Sequence, residues 1–408
     1  MLAPLRFLDA THIQMGRERL VYFAGTNYLG LSWHPAVRAA MARAAAGGML
    51  QPGASRRTTG EQAAYRHLET RLARFFRFGA CAVVPSGYLA PVAAAQGLRD
   101  VITHVLLTQE AHAAVADAAR LTGCPVTLFP GGDLPALRRL LRKLPRNAVP
   151  LLACDGTFSN RGGVAPLREY LNALPARGFL LIDDAHGAGT VGPGGRGALA
   201  LLGLQGASDS RVIQTVSLAK ALGVAGGAVL GATPVVAALR QLAAGYIGST
   251  PLLLPAVAAL EVSLELVQRH SGRSGPNPPG KLQEHARFFH ELLTEGLNLA
   301  AQGVVRPVGV SSRAGGLTPL LAVRVLSDPR TPVTGVYPGS AGARTSFARV
   351  LREHGIFPPY ITYLGGPAGG YFRFALSSRH TLAEIRLLAR AIRAGVAAGM
   401  ETARQLGE

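Results

Sequence analysis

Phe179-Leu-Leu-Ile-Asp-Asp-Ala-His186 decides the fold. A short apolar run that stops at two acids and an imidazole reads as a buried central strand of a parallel sheet. Its polar end then lies at the carboxyl edge, where open α/β sheets bind ligands. Gly187-Ala-Gly-Thr-Val-Gly-Pro-Gly-Gly-Arg196-Gly follows, a glycine-dense loop whose backbone can come close to a bound group. Arg211-Val-Ile-Gln-Thr-Val-Ser217 reads as the next strand and delivers Ser217-Leu-Ala-Lys220-Ala-Leu-Gly223, and Val224-Ala-Gly-Gly-Ala-Val-Leu-Gly231 returns as a small-residue strand. Of 42 basic residues only Lys143, Lys220 and Lys281 are lysines, and Lys220 alone lies between apolar strands in a glycine-flanked turn. Burying an ammonium is costly, and a lysine with a lowered pKa suits covalent catalysis. Standing alone, Lys220 would read as a snorkelling side chain at a strand end. Asp183 at the preceding strand end changes that reading. A carboxylate that keeps a pyridine nitrogen protonated, and a lysine that carries an aldehyde, are what pyridoxal phosphate requires.

The neighbouring segments supply the rest of an α/β alternation. Ala80-Cys-Ala-Val-Val-Pro reads as a strand, and Ser86-Gly87-Tyr88 opens the helix after it, a turn that makes an anion site of free amides and helix dipole. Any βα unit makes such a turn, so by itself the signal is weak. His104-Val-Leu-Leu-Thr is a second strand, followed by a helix that carries His112; an isolated helical histidine reads as an ordinary residue satisfied by one hydrogen bond. Pro125-Val-Thr-Leu-Phe, a helix over 134–144 and Pro150-Leu-Leu-Ala-Cys-Asp155 continue the pattern. Apolar spacing predicts further helices at 34–45, 66–76 and 252–261. Leu317-Thr-Pro-Leu-Leu-Ala-Val-Arg-Val and Tyr371-Phe-Arg373-Phe-Ala-Leu-Ser377 read as strands of a smaller C-terminal domain, in which a lone Arg373 reads as one half of a surface ion pair.

Composition narrows the classes. With 408 residues, 48% hydrophobic and 16% charged, the chain has ample core and is globular, of two domains. Its apolar runs are too short or too broken to span a bilayer, and its first residues lack the regions of a signal peptide. Cys81, Cys124 and Cys154 form neither a disulfide framework nor a metal motif, which points to a cytoplasmic protein. The net charge of +19 comes from dispersed arginines rather than a basic stripe, so nucleic acid is a weak expectation. A positive field would still gather anionic substrates such as acyl-CoA.

Taken together, Asp183-Asp-Ala-His186, Gly189, Gly192, Gly195-Arg-Gly, Ser217-Leu-Ala-Lys220-Ala-Leu-Gly223 and Gly226-Gly227 resemble the α-oxoamine synthases, a family of fold-type I pyridoxal-phosphate enzymes. The resemblance runs from about residue 20 to the C-terminus and implies a mostly parallel seven-stranded sheet with helices on both faces, plus a smaller α+β domain. The expected boundaries are 1–50 for an N-terminal arm, 51–262 for the large domain and 263–408 for the small one. By the resemblance, Ser86, Gly87 and Tyr88 hold the cofactor phosphate, His112 stacks on its ring, and Ser159 bonds its phenolic oxygen. Asp183, His186, Ser217 and Lys220 complete the cofactor set, with Lys220, His112 and Asp183 the catalytic residues. Tyr22-Phe-Ala-Gly-Thr-Asn27-Tyr28 places Asn27 near the substrate carboxylate, and Arg373 gives that carboxylate a bidentate clamp. Tyr246-Ile-Gly248-Ser249-Thr250 resembles a turn that reaches the neighbouring subunit's cofactor phosphate, which implies a homodimer with shared sites.

The implied reaction is a decarboxylating condensation of an amino acid with an acyl-CoA or acyl carrier protein to give an α-amino ketone. L-alanine and a pimeloyl thioester are the default substrates. The Ser-Leu-Ala-Lys form also resembles the long-chain amino-ketone branch, and 2-amino-3-ketobutyrate CoA ligase is a further alternative. An aminotransferase on the same fold and a non-enzymatic basic binding protein are the readings of other classes. Three segments depart from the family pattern: 61–65; 160–163, where Asn160 and Arg161 replace Met and an acid and Gly163 replaces Asp; and 358–367.

Overall fold

A computed structural model describes residues 4–269, 277–295, 305–306, 323–362 and 369–406. The chain divides into two compact units, one of Met1–Gly30, Phe158–Gly163 and Pro278–Glu408, the other of Leu31–Thr157 and Val164–Asn277. These limits differ from boundaries at 50 and 262 for a packing reason. Helix Pro35–Gly47 packs on helix Leu254–Gln268 inside the larger unit. Residues up to 30 join the smaller one, where Ala375 N donates to Phe23 O at 2.7 Å and Ser378 N to Tyr28 O at 2.8 Å.

In the smaller unit β1 (Arg6–Phe7), β2 (His12–Met15) and β3 (Glu18–Val21) form an antiparallel meander. In the larger unit β4 (Ala80–Val84), β5 (His104–Thr108), β6 (Val126–Phe129), β7 (Pro150–Asp155), β8 (Phe179–Asp183), β9 (Val212–Ser217) and β10 (Gly227–Gly231) build a seven-stranded sheet in the order β4-β10-β9-β8-β7-β5-β6. Only β10 runs against its neighbours. Every residue of β7 and β9 is buried, as continuous apolar runs in a covered parallel sheet must be. Helix Leu89–Leu98 lies on β8, β9 and β10, and its alanines join Val105, Leu151, Leu181, Ile213 and Val229 in one core. This is the α/β architecture expected from the sequence.

Back in the smaller unit, β11 (Val305–Arg306), β12 (Val323–Ser327), β13 (Val333–Pro338), β14 (Tyr360–Ile361) and β15 (Tyr371–Ala375) form a sheet in the order β11-β12-β13-β15-β14. Helices Ala341–Glu353 and Leu382–Leu406 pack against each other there. The strand expected from residue 317 is described from Val323 onward. Residues 317–322, residues 271–276 and half of the altered 358–367 segment (363–367) lie outside the described residues.

Candidate active site

The carboxyl ends of β4, β5, β7, β8 and β9 bring Ser86, His112, Asp155, Asp183 and Ser217 to one edge of the sheet. Asp155 and Asp183 are register partners on adjacent parallel strands. Asp183 is 6% exposed, and its Oδ1 accepts from Ala185 N at 3.1 Å and Thr215 Oγ1 at 3.3 Å. Burial pushes its pKa up, while Lys220 and His112 pull it back. A buried carboxylate in that state gains from a cation set against it, and a protonated pyridine nitrogen is such a cation. Lys220 Nζ lies 2.7 Å from His186 Nε2, so the imidazole holds the amine in place. Both side chains are half-buried rather than fully enclosed.

His112 is not inside its helix. It is the N-cap of Ala113–Arg120, where Nδ1 accepts from Ala114 N at 3.2 Å, and its own backbone N–H donates to Asp155 Oδ1 at 3.0 Å. Lost solvation lowers the imidazole's pKa against the attraction of Asp183, with Lys220 adding to the lowering. Ring chemistry therefore favours the neutral form, which is the form that stacks on an aromatic cation. Tyr88 stands edge-on to His112, with ring centres 6.4 Å apart, and its hydroxyl donates to Asp117.

The turn at residues 86–88 is packed rather than loose. A Cβ on Gly87 would come within 2.7 Å of the Ser217 side chain, and one on Gly227 would collide with Ser86 O. Glycine at both places lets the turn sit directly on the ends of β9 and β10. Ser86 Oγ accepts from Leu89 N at 3.2 Å at the head of a ten-residue helix.

The glycine loop after β8 proves to serve a protein group. Asp184 is fully buried; its Oδ1 accepts from Thr157 Oγ1 at 3.1 Å, and its Oδ2 from Ala198 N at 2.8 Å and Gln214 Nε2 at 2.9 Å. A Cβ on Gly187 or Gly197 would strike those carboxylate oxygens. The close approach anticipated for the loop is thus made to Asp184. Asp155 and Asp184 were not singled out from the sequence, although the acid ending β7 beside the acid ending β8 was a usable signal. Burial first, then Asp183, raises Asp155 to about 8, and burial raises Asp184 to about 7.

The remaining expected residues are on other segments of the chain. Ser249 Oγ donates to Gly245 O at 2.6 Å and Thr250 is exposed, on a turn whose Ile247 O accepts from Ser55 Oγ. Asn27, Ser159 and Arg373 belong to the smaller unit. Arg373 is no surface ion pair. It is 6% exposed, and it donates from Nε to Ser159 O at 2.6 Å, from Nη1 to Gly25 O at 3.0 Å and from Nη2 to Tyr28 Oη at 2.8 Å. All three partners are neutral, so its positive charge stays available to an anion. Ser159 meets Arg373 through its carbonyl, and Asn27 O accepts from Ser377 Oγ at 3.3 Å.

A buried strand-end acid, a lysine beyond the next strand end, a capping imidazole and a small-residue turn at a helix head fit pyridoxal phosphate, and with this sheet they define a fold-type I enzyme. The chain matches the family Aminotransferase class I and II over residues 19–392. It is 34% identical to 8-amino-7-oxononanoate synthase 1 of Polaromonas sp., over 94% of this chain and 89% of that protein. The 8-amino-7-oxononanoate synthase of Mycobacterium bovis is 38% identical over 66% of this chain and 73% of its own length. Among solved structures, serine palmitoyltransferase from S. paucimobilis superposes with a TM-score of 0.80 at 20% identity, covering 99% of this chain and 93% of that one. The chain belongs to the class I and II aminotransferase family and, within it, to the α-oxoamine synthases, pyridoxal-phosphate-dependent acyltransferases.

Proposed function

We propose that the chain condenses L-alanine with a pimeloyl thioester, with loss of carbon dioxide, to give 8-amino-7-oxononanoate. The observation that carries this is the set of relatives of that name, 30–38% identical over most of the chain, beside a complete Lys220, Asp183 and His112 set. Asp183 would sit against the ring nitrogen of pyridoxal phosphate, His112 over its ring, residues 86–88 at its phosphate, and Ser159 and His186 at its phenolic oxygen. Bound there, the cofactor supplies an electron sink for charge left on the amino-acid Cα. Lys220 would hold the cofactor at rest, and its amine, steered by His186, would take and return the Cα proton. Arg373 orients the amino-acid carboxylate, held in readiness by Ser159, Gly25 and Tyr28.

A homodimer in which the turn at 246–250 reaches the partner's cofactor phosphate, and a cytoplasmic location, belong to the same reading. No described helix is long and apolar enough to cross a membrane. The test is release of free thiol when protein supplied with pyridoxal phosphate meets L-alanine and pimeloyl-CoA or its carrier-protein thioester, with the product identified by mass. Thiol release only with long-chain acyl-CoA would move the assignment to the branch that Ser217-Leu-Ala-Lys220 resembles. Alanine consumed only with a keto-acid acceptor, and no thiol released, would make the chain an aminotransferase.

A further inference from the structure

Arg161 stands out among the cations of the smaller unit. Its guanidinium carbon lies 4.2 Å from the centre of the Phe158 ring, its Nε is buried without an acceptor, and no hydrogen bond or ion pair engages it among the described residues. A buried guanidinium N–H left unpaired costs stability, so an orphan of this kind marks a place where an acceptor belongs. The backbone beneath it is fixed. Tyr337 Oη donates to Asn160 O at 3.0 Å, and Gly163 N donates to Thr331 Oγ1 at 3.2 Å. Gly162 has φ +71, and a Cβ there would run into Val333 O. Two residues before Arg161, the carbonyl of Ser159 holds Arg373. One pinned segment therefore governs two guanidinium groups, and neither has an acidic partner.

We propose that Arg161 recognises a carboxylate at the far end of the acyl donor, so that the enzyme selects thioesters of dicarboxylic acids over those of monocarboxylic acids of equal length. This rests on the acyl-transfer reading above and names its substrate class. A carboxylate pairs with Nε and one Nη of a guanidinium in parallel, which would satisfy the orphaned donor. Stacking on Phe158 pre-orients the planar fork, so little freedom is lost on binding. Arg324, 5.2 Å from the centre of the Tyr337 ring, adds a second cation, and Arg161 and Arg324 both act on the buried Tyr337 hydroxyl. Where the family pattern has an acid, this chain has reversed the charge at 161. The other source of an anion is a phosphate of CoA itself, and the experiment separates the two.

Calorimetric binding of pimeloyl-CoA, heptanoyl-CoA and free CoA to the protein loaded with pyridoxal phosphate is the measurement, at one ionic strength. The native protein should bind pimeloyl-CoA about tenfold or more tightly than heptanoyl-CoA, as one charge-assisted pair provides. Arg161→Met should erase that preference and leave heptanoyl-CoA and CoA within about twofold. Arg161→Lys, which keeps the charge without the fork, should retain part of it and guards against a folding defect in the Met variant. No preference in the native protein, or equal weakening of all three ligands in Arg161→Met, overturns the proposal; the second result would assign Arg161 to a CoA phosphate. If alanine and pimeloyl-CoA release no thiol but an Arg161-dependent preference persists, the proposed reaction falls and this recognition stands.

Discussion

At the carboxyl edge of the seven-stranded sheet, acids and bases hold one another: Lys220 with His186, His112 with Asp155, and Asp183 within the field of both Lys220 and His112. In the smaller unit two arginines are engaged by neutral groups among the described residues: Arg373 is held by two carbonyls and a phenol, and Arg161 by the face of Phe158. The first arrangement suits a ring that carries a cationic nitrogen and an anionic oxygen together. The second suits carboxylates. Mutually compensated groups stay put, whereas uncompensated ones await a partner.

The sharpest break in that comparison is Lys220→Ala, which should lower turnover about 10³-fold or more while leaving the melting temperature of the cofactor-free protein nearly unchanged. Full thiol release by the variant would remove Lys220 from the chemistry. Next in size, Gly197→Ala should destabilise the fold by about 4 kcal/mol, since φ is +90 and the new methyl meets the Asp184 carboxylate. Gly194→Ala, at φ +65 with nothing within 4 Å, should cost only about 1 kcal/mol. Urea unfolding of the pair tests whether contact with Asp184, rather than backbone conformation alone, makes the loop glycine-rich.

On the other side of the comparison, Arg373→Lys should reduce kcat/KM for the amino acid about 10²-fold, because an ammonium cannot replace the fork. An unchanged kcat/KM would return Arg373 to a purely structural role between Ser159, Gly25 and Tyr28. A smaller effect distinguishes Asp155. Its carboxyl stays protonated up to about 8 in the fold and titrates near 4 when unfolded, so between those values the folded state binds more protons. Stability contributed by this group is therefore present at low pH and lost as pH rises toward 8. Asp155→Asn, which keeps an acceptor for His112 N, should flatten the decline between pH 4 and pH 8 in the cofactor-free protein. The smallest expected change is Tyr337→Phe, about 1 kcal/mol for the hydroxyl that bonds Asn160 O, read as a shift in the urea midpoint.

Much of the larger unit was legible from its residues alone. Apolar runs ending in Asp155, Asp183 and Ser217 gave strands whose carboxyl ends face one edge, since a parallel sheet orders its ends by chain direction. The helix at 252–261 appears as Leu254–Gln268, with its apolar face buried as its spacing required. His112 was legible as a residue and not as a cap, because capping depends on where the chain turns after β5. Arg373 alone would have been an ion pair; Tyr28, Gly25 and Ser159, each far from it in sequence, decide otherwise.

What the amino-acid order determined was chemistry with short-range rules: strand patterning, a turn before a helix, one lysine among arginines, one acid a strand earlier. Which of two adjacent carboxylates would be enclosed by the protein was decided only by tertiary structure. Asp184 meets Thr157, Ala198 and Gln214 within a cage of glycines, whereas Asp183 keeps company with titratable groups. The same holds for residues 158–163, whose grouping with the smaller unit depends on Val333, Thr331 and Tyr337 lying beneath them. Pattern fixes which face of an element is apolar, but the partner that satisfies a buried polar atom comes from distant chain, and only the folded arrangement supplies it.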